Sequence, residues 1–140
     1  MTNILQWNAP AVTKATQLRV ERGIERASEF VEGDTKRLLS TGQSVQRSGG
    51  RLKGRNPSPE GSPPHVLTGR LRQSITHAVE VTAQAIIGRI GTNVKYARRL
   101  ELGFVGTDSR GRIIHQGERP YLRPALKNNL AKILALIARG

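Results

Sequence analysis

Ile75-Thr76-His77-Ala78-Val79-Glu80-Val81-Thr82-Ala83-Gln84-Ala85-Ile86-Ile87-Gly88-Arg89-Ile90 decides the fold class. Ile75, His77, Val79 and Val81 alternate with Thr76, Ala78, Glu80 and Thr82, a period of two that belongs to a strand. Ala85 to Ile90 is a second apolar run, and Thr82-Ala83-Gln84 reads as the turn of a hairpin. Gly88 within that run predicts a bulge or a close crossing. Helical patterns lie on both sides. Upstream, Val20, Ile24, Ala27, Val31 and Leu38 form one stripe, with Phe30 beside it, and predict a helix over residues 11–40. Glu32 and Lys36 make a favourable pair on it. Gly23 and Gly33 interrupt it at about 1 kcal/mol each relative to alanine, which points to close approach, a bend or simple tolerance. Downstream, Asn93 suits an N-cap and Gly103 the residue after a helix, so Val94 to Leu102 predicts a short one. Pro124 suits a first helical turn, and Leu126, Leu130, Ile133 or Leu134, and Ile137 give the last helix an apolar face to about Ala138. The fold class expected is α+β: a long N-terminal helix and a C-terminal helix packed on a small antiparallel sheet, with a long extended basic loop.

That loop is residues 41–66. It holds only Val45, Leu52 and Val66 as aliphatic residues, among four prolines and five glycines. Such a stretch is expected to be an extended arm, protease-sensitive until a partner orders it. Arg47, Arg51, Lys53 and Arg55 punctuate it as candidate contacts to an interface or a polyanion. Residues 1–10 hold Ile4, Leu5 and Trp7 before Pro10, and read as a docking tail. Thr68 is expected to cap a short helix from Gly69 to Ser74, and Arg112 to His115 to form a short strand in the loop 104–120. The 140 residues suffice for one domain spanning 1–140.

The formal net charge is +13, from 23 basic and 10 acidic residues. The long helix is nearly neutral, and residues 41–72 are the most one-sided stretch, at net +5. Such a balance calls for a polyanion, an acidic protein surface, or assembly that offsets self-repulsion. No run approaches a membrane span, and the N-terminus lacks the pattern of a secretory signal. Cysteine is absent, which excludes disulfides and thiolate metal sites. His65, His77 and His115 are far apart, so no metal or cofactor is expected. His77 reads as a half-buried strand residue. Ser58, Ser62 and Ser74 have no nucleophile-elbow context, and Ser48-Gly49-Gly50 lacks the lysine of a phosphate loop. Glu29 and Glu32 read as a solvated helix face. The chain is therefore expected to bind rather than to catalyse. Arg70, Arg72, Arg98 and Arg99 read as exposed helix faces, with phosphate contact as the alternative, the last two with Glu101 and Asp108 as local partners.

Four short motifs follow one another in order. They are Thr68-Gly69-Arg70-Leu71-Arg72 before Ser74-Ile75, then Ile90-Gly91-Thr92-Asn93-Val94 with Tyr96-Ala97, then Leu100-Glu101-Leu102-Gly103, and last Arg119-Pro120-Tyr121-Leu122-Arg123-Pro124-Ala125-Leu126. With the lead-in Ser62-Pro63-Pro64, the series resembles the neck or tail-completion proteins of tailed bacteriophages, over about residues 57–130. Phe104 departs from the pattern, where the family usually has threonine. The resemblance implies a structural virion protein. It would form a homo-oligomeric ring, six-fold favoured over twelve-fold, that joins the head connector to the tail. Its partners would be neighbouring connector and tail-terminator or tail-tube proteins, with non-specific contact to packaged DNA as a further one. It would be made in the host bacterial cytoplasm and end in the virion. The alternatives are a tail terminator capping the tube, and a basic nucleic-acid-associated protein such as a ribosomal component. Within the motifs, Gly91 and Gly103 are expected to punctuate changes of element, Tyr96 and Tyr121 to bury their rings, and Glu101 to pair with Arg119 or Arg123.

Overall fold

A computed structural model describes residues 9–43 and 57–140. The candidate tail residues Ile4, Leu5 and Trp7 and the arm residues Arg47, Arg51, Lys53 and Arg55 lie outside these. The architecture is α+β, ordered around one long helix, α1 (Ala9–Thr41). A hairpin of β1 (Thr76–Val81) and β2 (Ile86–Gly91) packs on one flank of α1, and α5 (Leu130–Arg139) on another. The remaining elements are α2 (Arg70–Ser74), α3 (Ala97–Leu102), β3 (Phe104–Thr107), β4 (Ile113–Gln116) and α4 (Leu122–Lys127).

The buried stripe of α1 is Ala27, Ser28, Val31, Thr35 and Leu39. Leu39, not the expected Leu38, ends it, because recurring steps of four carry the contact line to that position. Thr35 is tolerated there because its hydroxyl donates to the Val31 carbonyl at 2.7 Å. The two glycines of α1 differ. A Cβ on Gly23 would lie 2.5 Å from the Ile137 carbonyl oxygen, whereas nothing comes within 4 Å of one on Gly33. Gly23 is thus the close approach that lets α5 lie on α1, and Gly33 is tolerated.

β1 and β2 pair antiparallel with Val79 opposite Gly88 and Val81 opposite Ile86. His77 and Val79 face inward with buried Ile75 below them, while Thr76, Ala78 and Glu80 are exposed. The register is continuous through Gly88, so this is a crossing, not a bulge: a Cβ there would collide with Ser28 and Ile24 of α1. The turn is one residue longer than expected, with Thr82 accepting from and donating to Ala85.

The sheet is not single. β3 and β4 form a second two-stranded hairpin, Phe104 opposite Gln116 and Thr107 opposite Ile113. The sequence points only to the second of these strands. Its turn is built by Asp108, whose carboxylate accepts the N–H of Arg110 and Arg112, both at 2.9 Å, and pairs with the Arg112 guanidinium. These bonds hold the Asp108 carboxyl below its usual range.

Three helix boundaries also move. Asn93 is exposed and caps nothing; Thr92 Oγ1 accepts the Val94 N–H instead, and α3 starts only at Ala97. Gly69, in the left-handed region at φ 73°, takes the N-cap place expected for Thr68, whose Oγ1 nevertheless accepts the N–H of Arg70, the first residue of α2, at 3.4 Å. The last helix is broken at Asn128-Asn129, where the Asn129 side chain bonds Asp34 and the Ala125 carbonyl. This anchors the break to α1.

The described end of the arm is packed rather than extended. Ser58 and Pro64 are buried. Gly61 N–H donates to the Glu118 carbonyl at 2.8 Å. This backbone bond to Glu118 and the bond from the Arg119 guanidinium to the Ser58 carbonyl hold a stretch poor in apolar side chains.

Candidate functional site

The motif residues converge. Leu71, Ile75, Val94, Ala97 and Tyr121 form one core cluster with Leu39 of α1. Three of the four motifs thus supply core walls, Leu100 of the remaining one packs against them, and its Glu101 reaches across to the last motif. Glu101 sits on α3, buried, and its carboxylate reaches the start of α4. Oε2 accepts the N–H of Tyr121 at 2.8 Å and of Leu122 at 3.0 Å. Oε1 accepts the Arg123 N–H at 2.9 Å and its Nε at 3.3 Å. The first N–H groups of a helix have no partner within it. A carboxylate there satisfies them and suits the positive end of the helix.

Of the two arginines expected at Glu101, Arg123 makes the contact and also pairs with Glu118 at 2.6 Å. Arg119 does not. Its Nε donates to the Ser58 carbonyl at 2.8 Å, which ties the end of the arm to this junction. Pro120 lies between Arg119 and Tyr121. Pro124 is the third residue of α4, and its carbonyl accepts the Asn128 N–H.

Tyr121 is buried and its phenol is pushed up to about 12 by burial, with the Glu101 and Tyr96 charges adding to it. It stays neutral at physiological pH. Tyr96 is exposed instead of buried, because α3 begins one residue later and leaves its ring outside. Gly103 carries the positive φ of 73° that ends α3, whereas Gly91 needs none and has open space where a Cβ would stand. With both oxygens of Glu101 engaged, the junction is a clamp rather than an acid or base.

Beside it, a cleft of about 450 Å³ is lined by Leu39, Val66, Leu67, Leu71, Tyr96 and Leu100, with Arg70 and Arg72 among its walls. Among the described residues no carboxylate lines it. The surroundings suit an apolar segment carrying negative charge. Arg72 also donates to Ser40 at the end of α1. Arg99 stacks on Phe104, 4.1 Å from the ring centre, so it uses neither Glu101 nor Asp108.

Two features escape the sequence reading. His77 is held between two carboxylates of α1, Glu25 at Nε2 (3.1 Å) and Glu32 at Nδ1. The bond to Glu32 raises the His77 pKa, and the bonds from Lys36 and His77 lower that of Glu32. The second feature is aliphatic exposure. Leu126, Leu130 and Leu134 recur every four residues and stand in solvent, the last two each 58 % exposed. Val105 and Ile113 share one face of the second hairpin at 70 % and 73 %.

Among the described residues no three or more histidine, aspartate or glutamate side chains are grouped to hold a metal ion, and no helix is long and apolar enough to cross a membrane. Comparison with protein-family models, curated proteins and solved structures finds no match.

Proposed function

We propose that the chain is a structural subunit of a tailed-phage virion, a neck or tail-completion ring component that joins the head connector to the tail. It works by binding. The observation that carries the assembly reading is that Leu126, Leu130 and Leu134 are left in solvent, in a fold whose two described hairpins each have open edges. An exposed apolar row of this kind marks a surface awaiting a partner, and an isolated two-stranded hairpin is marginal in water. The four ordered motifs support the neck in particular, and the core they build together supports reading them as scaffold rather than catalytic chemistry. The charge of +13 favours acidic neighbouring rings or DNA in the channel over neutral partners.

The test is assembly. Native mass spectrometry and electron microscopy of the purified chain are expected to show closed rings, and the protein is expected to restore joining when added to separate heads and tails. Capping of growing tubes without joining would assign it as the tail terminator. Tight, salt-sensitive duplex binding by a monomer would overturn the ring reading in favour of a nucleic-acid-associated protein. Portal, major capsid and tail-tube genes beside its own would support the phage reading directly.

A further inference from the structure

The hairpin β1–β2 and the helix α5 both pack on α1 and scarcely on each other. Between them runs an apolar groove of about 190 Å³, lined by Ile24 and Val31 on its floor, Gly88 and Ile90 on one wall, and Ile133 and Ile137 on the other. Cavities of about 150 Å³ with such walls hold a benzene ring, so one bulky side chain suits this groove. Among the described residues no charged side chain lines it.

The same chain has an apolar segment to offer. Ile4, Leu5 and Trp7 precede α1, and the first charged side chain is Lys14. These residues lie outside the described ones, but α1 fixes where they start. From Thr13 to Arg19 every residue of α1 is exposed, and the end of α5 is bonded at Arg19, through its guanidinium and the Ala138 carbonyl. The helix therefore projects past the body on the side away from the groove. Ala9 to Ile24, the near end of the groove, is fifteen residues of helix, or about 22 Å at the helical rise. Two residues of extended chain carry Trp7 only about 7 Å back from Ala9, and five carry Ile4 about 17 Å. The anchor falls short of its own groove.

We infer that the groove between α5 and β2 receives the Ile4–Trp7 segment of a second copy of this chain. The inference rests on the self-assembly part of the proposed function and names the contact that would drive it. A segment without charge is the part of a +13 chain that another copy repels least. A contact of segment to groove made head to tail is heterologous, and such contacts form a ring where their rotation closes and a filament where it does not. The groove also continues onto the solvent-facing Leu126, so an incoming segment would cover part of that row.

Trp7 is the chain's one tryptophan and there is no cysteine, so the intact protein carries its own probe. As concentration rises, Trp7 emission is expected to shift to the blue in step with oligomer formation. Mixing Leu5→Cys and Ile133→Cys proteins is expected to give a disulfide between copies, and Trp7→Ala to weaken self-association at least ~10-fold, as for an interface anchor. Oligomers in which Trp7 stays open to a quencher overturn the inference and leave the ring reading standing. A Trp7 already shielded in the monomer overturns it as well, since its own chain then covers it. A monomer at every concentration with Trp7 exposed overturns both.

Discussion

At Glu101 one buried side chain does the work of a cap for a helix it does not belong to. Its carboxylate takes the backbone N–H groups of Tyr121, just before α4, and of Leu122 and Arg123 in its first turn, with the Arg123 guanidinium as well. Glu101→Ala strands those donors, so it is expected to lose about 2–4 kcal/mol, read as a lower urea midpoint. Glu101→Gln keeps an acceptor oxygen and is expected to lose distinctly less. Equal losses in the two variants would show that the charge, not the acceptor geometry, holds the junction. His77 gives a second test at this scale. Folding raises its pKa from the ordinary value of 6.5. The stabilisation from its contacts with Glu25 and Glu32 is therefore full below that value and is lost as pH rises through the higher folded-state pKa. For Glu32 the shift is downward, so its share persists at neutral pH and is lost only as acid takes the pH through its lowered pKa. The urea midpoint is expected to fall as pH rises from 6.5 through the higher folded-state pKa, and His77→Gln to flatten that fall. A wild-type midpoint that climbs across this range would refute it.

The elements are positioned by what α1 lacks as much as by what it carries. Gly23 lies against the backbone of Ile137, and Gly33 faces open space. Gly33→Ala is expected to stabilise by about 0.5–1 kcal/mol, the helical penalty of glycine removed. Gly23→Ala gains the same propensity but forces α5 outward, and overpacking of this kind costs about 1–3 kcal/mol. The two substitutions, identical in sequence terms, should thus move the thermal midpoint in opposite directions. The break at Asn128-Asn129 belongs to this scale too. Pairing of Asn129 with Asp34 and Ala125 gives the chain a local alternative to continuing the helix, which the unbroken apolar pattern across it conceals.

For the whole molecule, the exposed leucine row and the net charge pull against each other. Self-association buries the row and brings like charges together. Raising salt screens the second term over about 8–10 Å, so the ring is expected to form more readily as ionic strength rises, measured by sedimentation. A partner that is nucleic acid would show the reverse. Leu130→Gln with Leu134→Gln keeps good helix formers at two exposed sites, so the monomer's stability should change by no more than about 1 kcal/mol. Assembly through that face is expected to weaken markedly. Unchanged assembly would place the subunit contact elsewhere.

Short-range physics made much of this legible in the chain itself. The period of two across Ile75–Val81, the stripe of α1 and the turn residue Gly103 depend on neighbours a few residues away, so the α+β class and most elements follow from them. That Glu101 takes Arg119 or Arg123 was legible as well, since a single carboxylate among arginines leaves few partners, but the choice of Arg123 was made by the structure. Decisions made over long separations were not. Whether Gly23 was a packing site or an accident depended on Ile137, more than a hundred residues on. β3 carries no alternation of its own and exists because β4 pairs with it. The last helix shows the clearest division: the sequence determined that Leu130 and Leu134 share a face, but only the packing of α5 on α1 decided that this face would be left to solvent, because a helix can turn just one side to its neighbour.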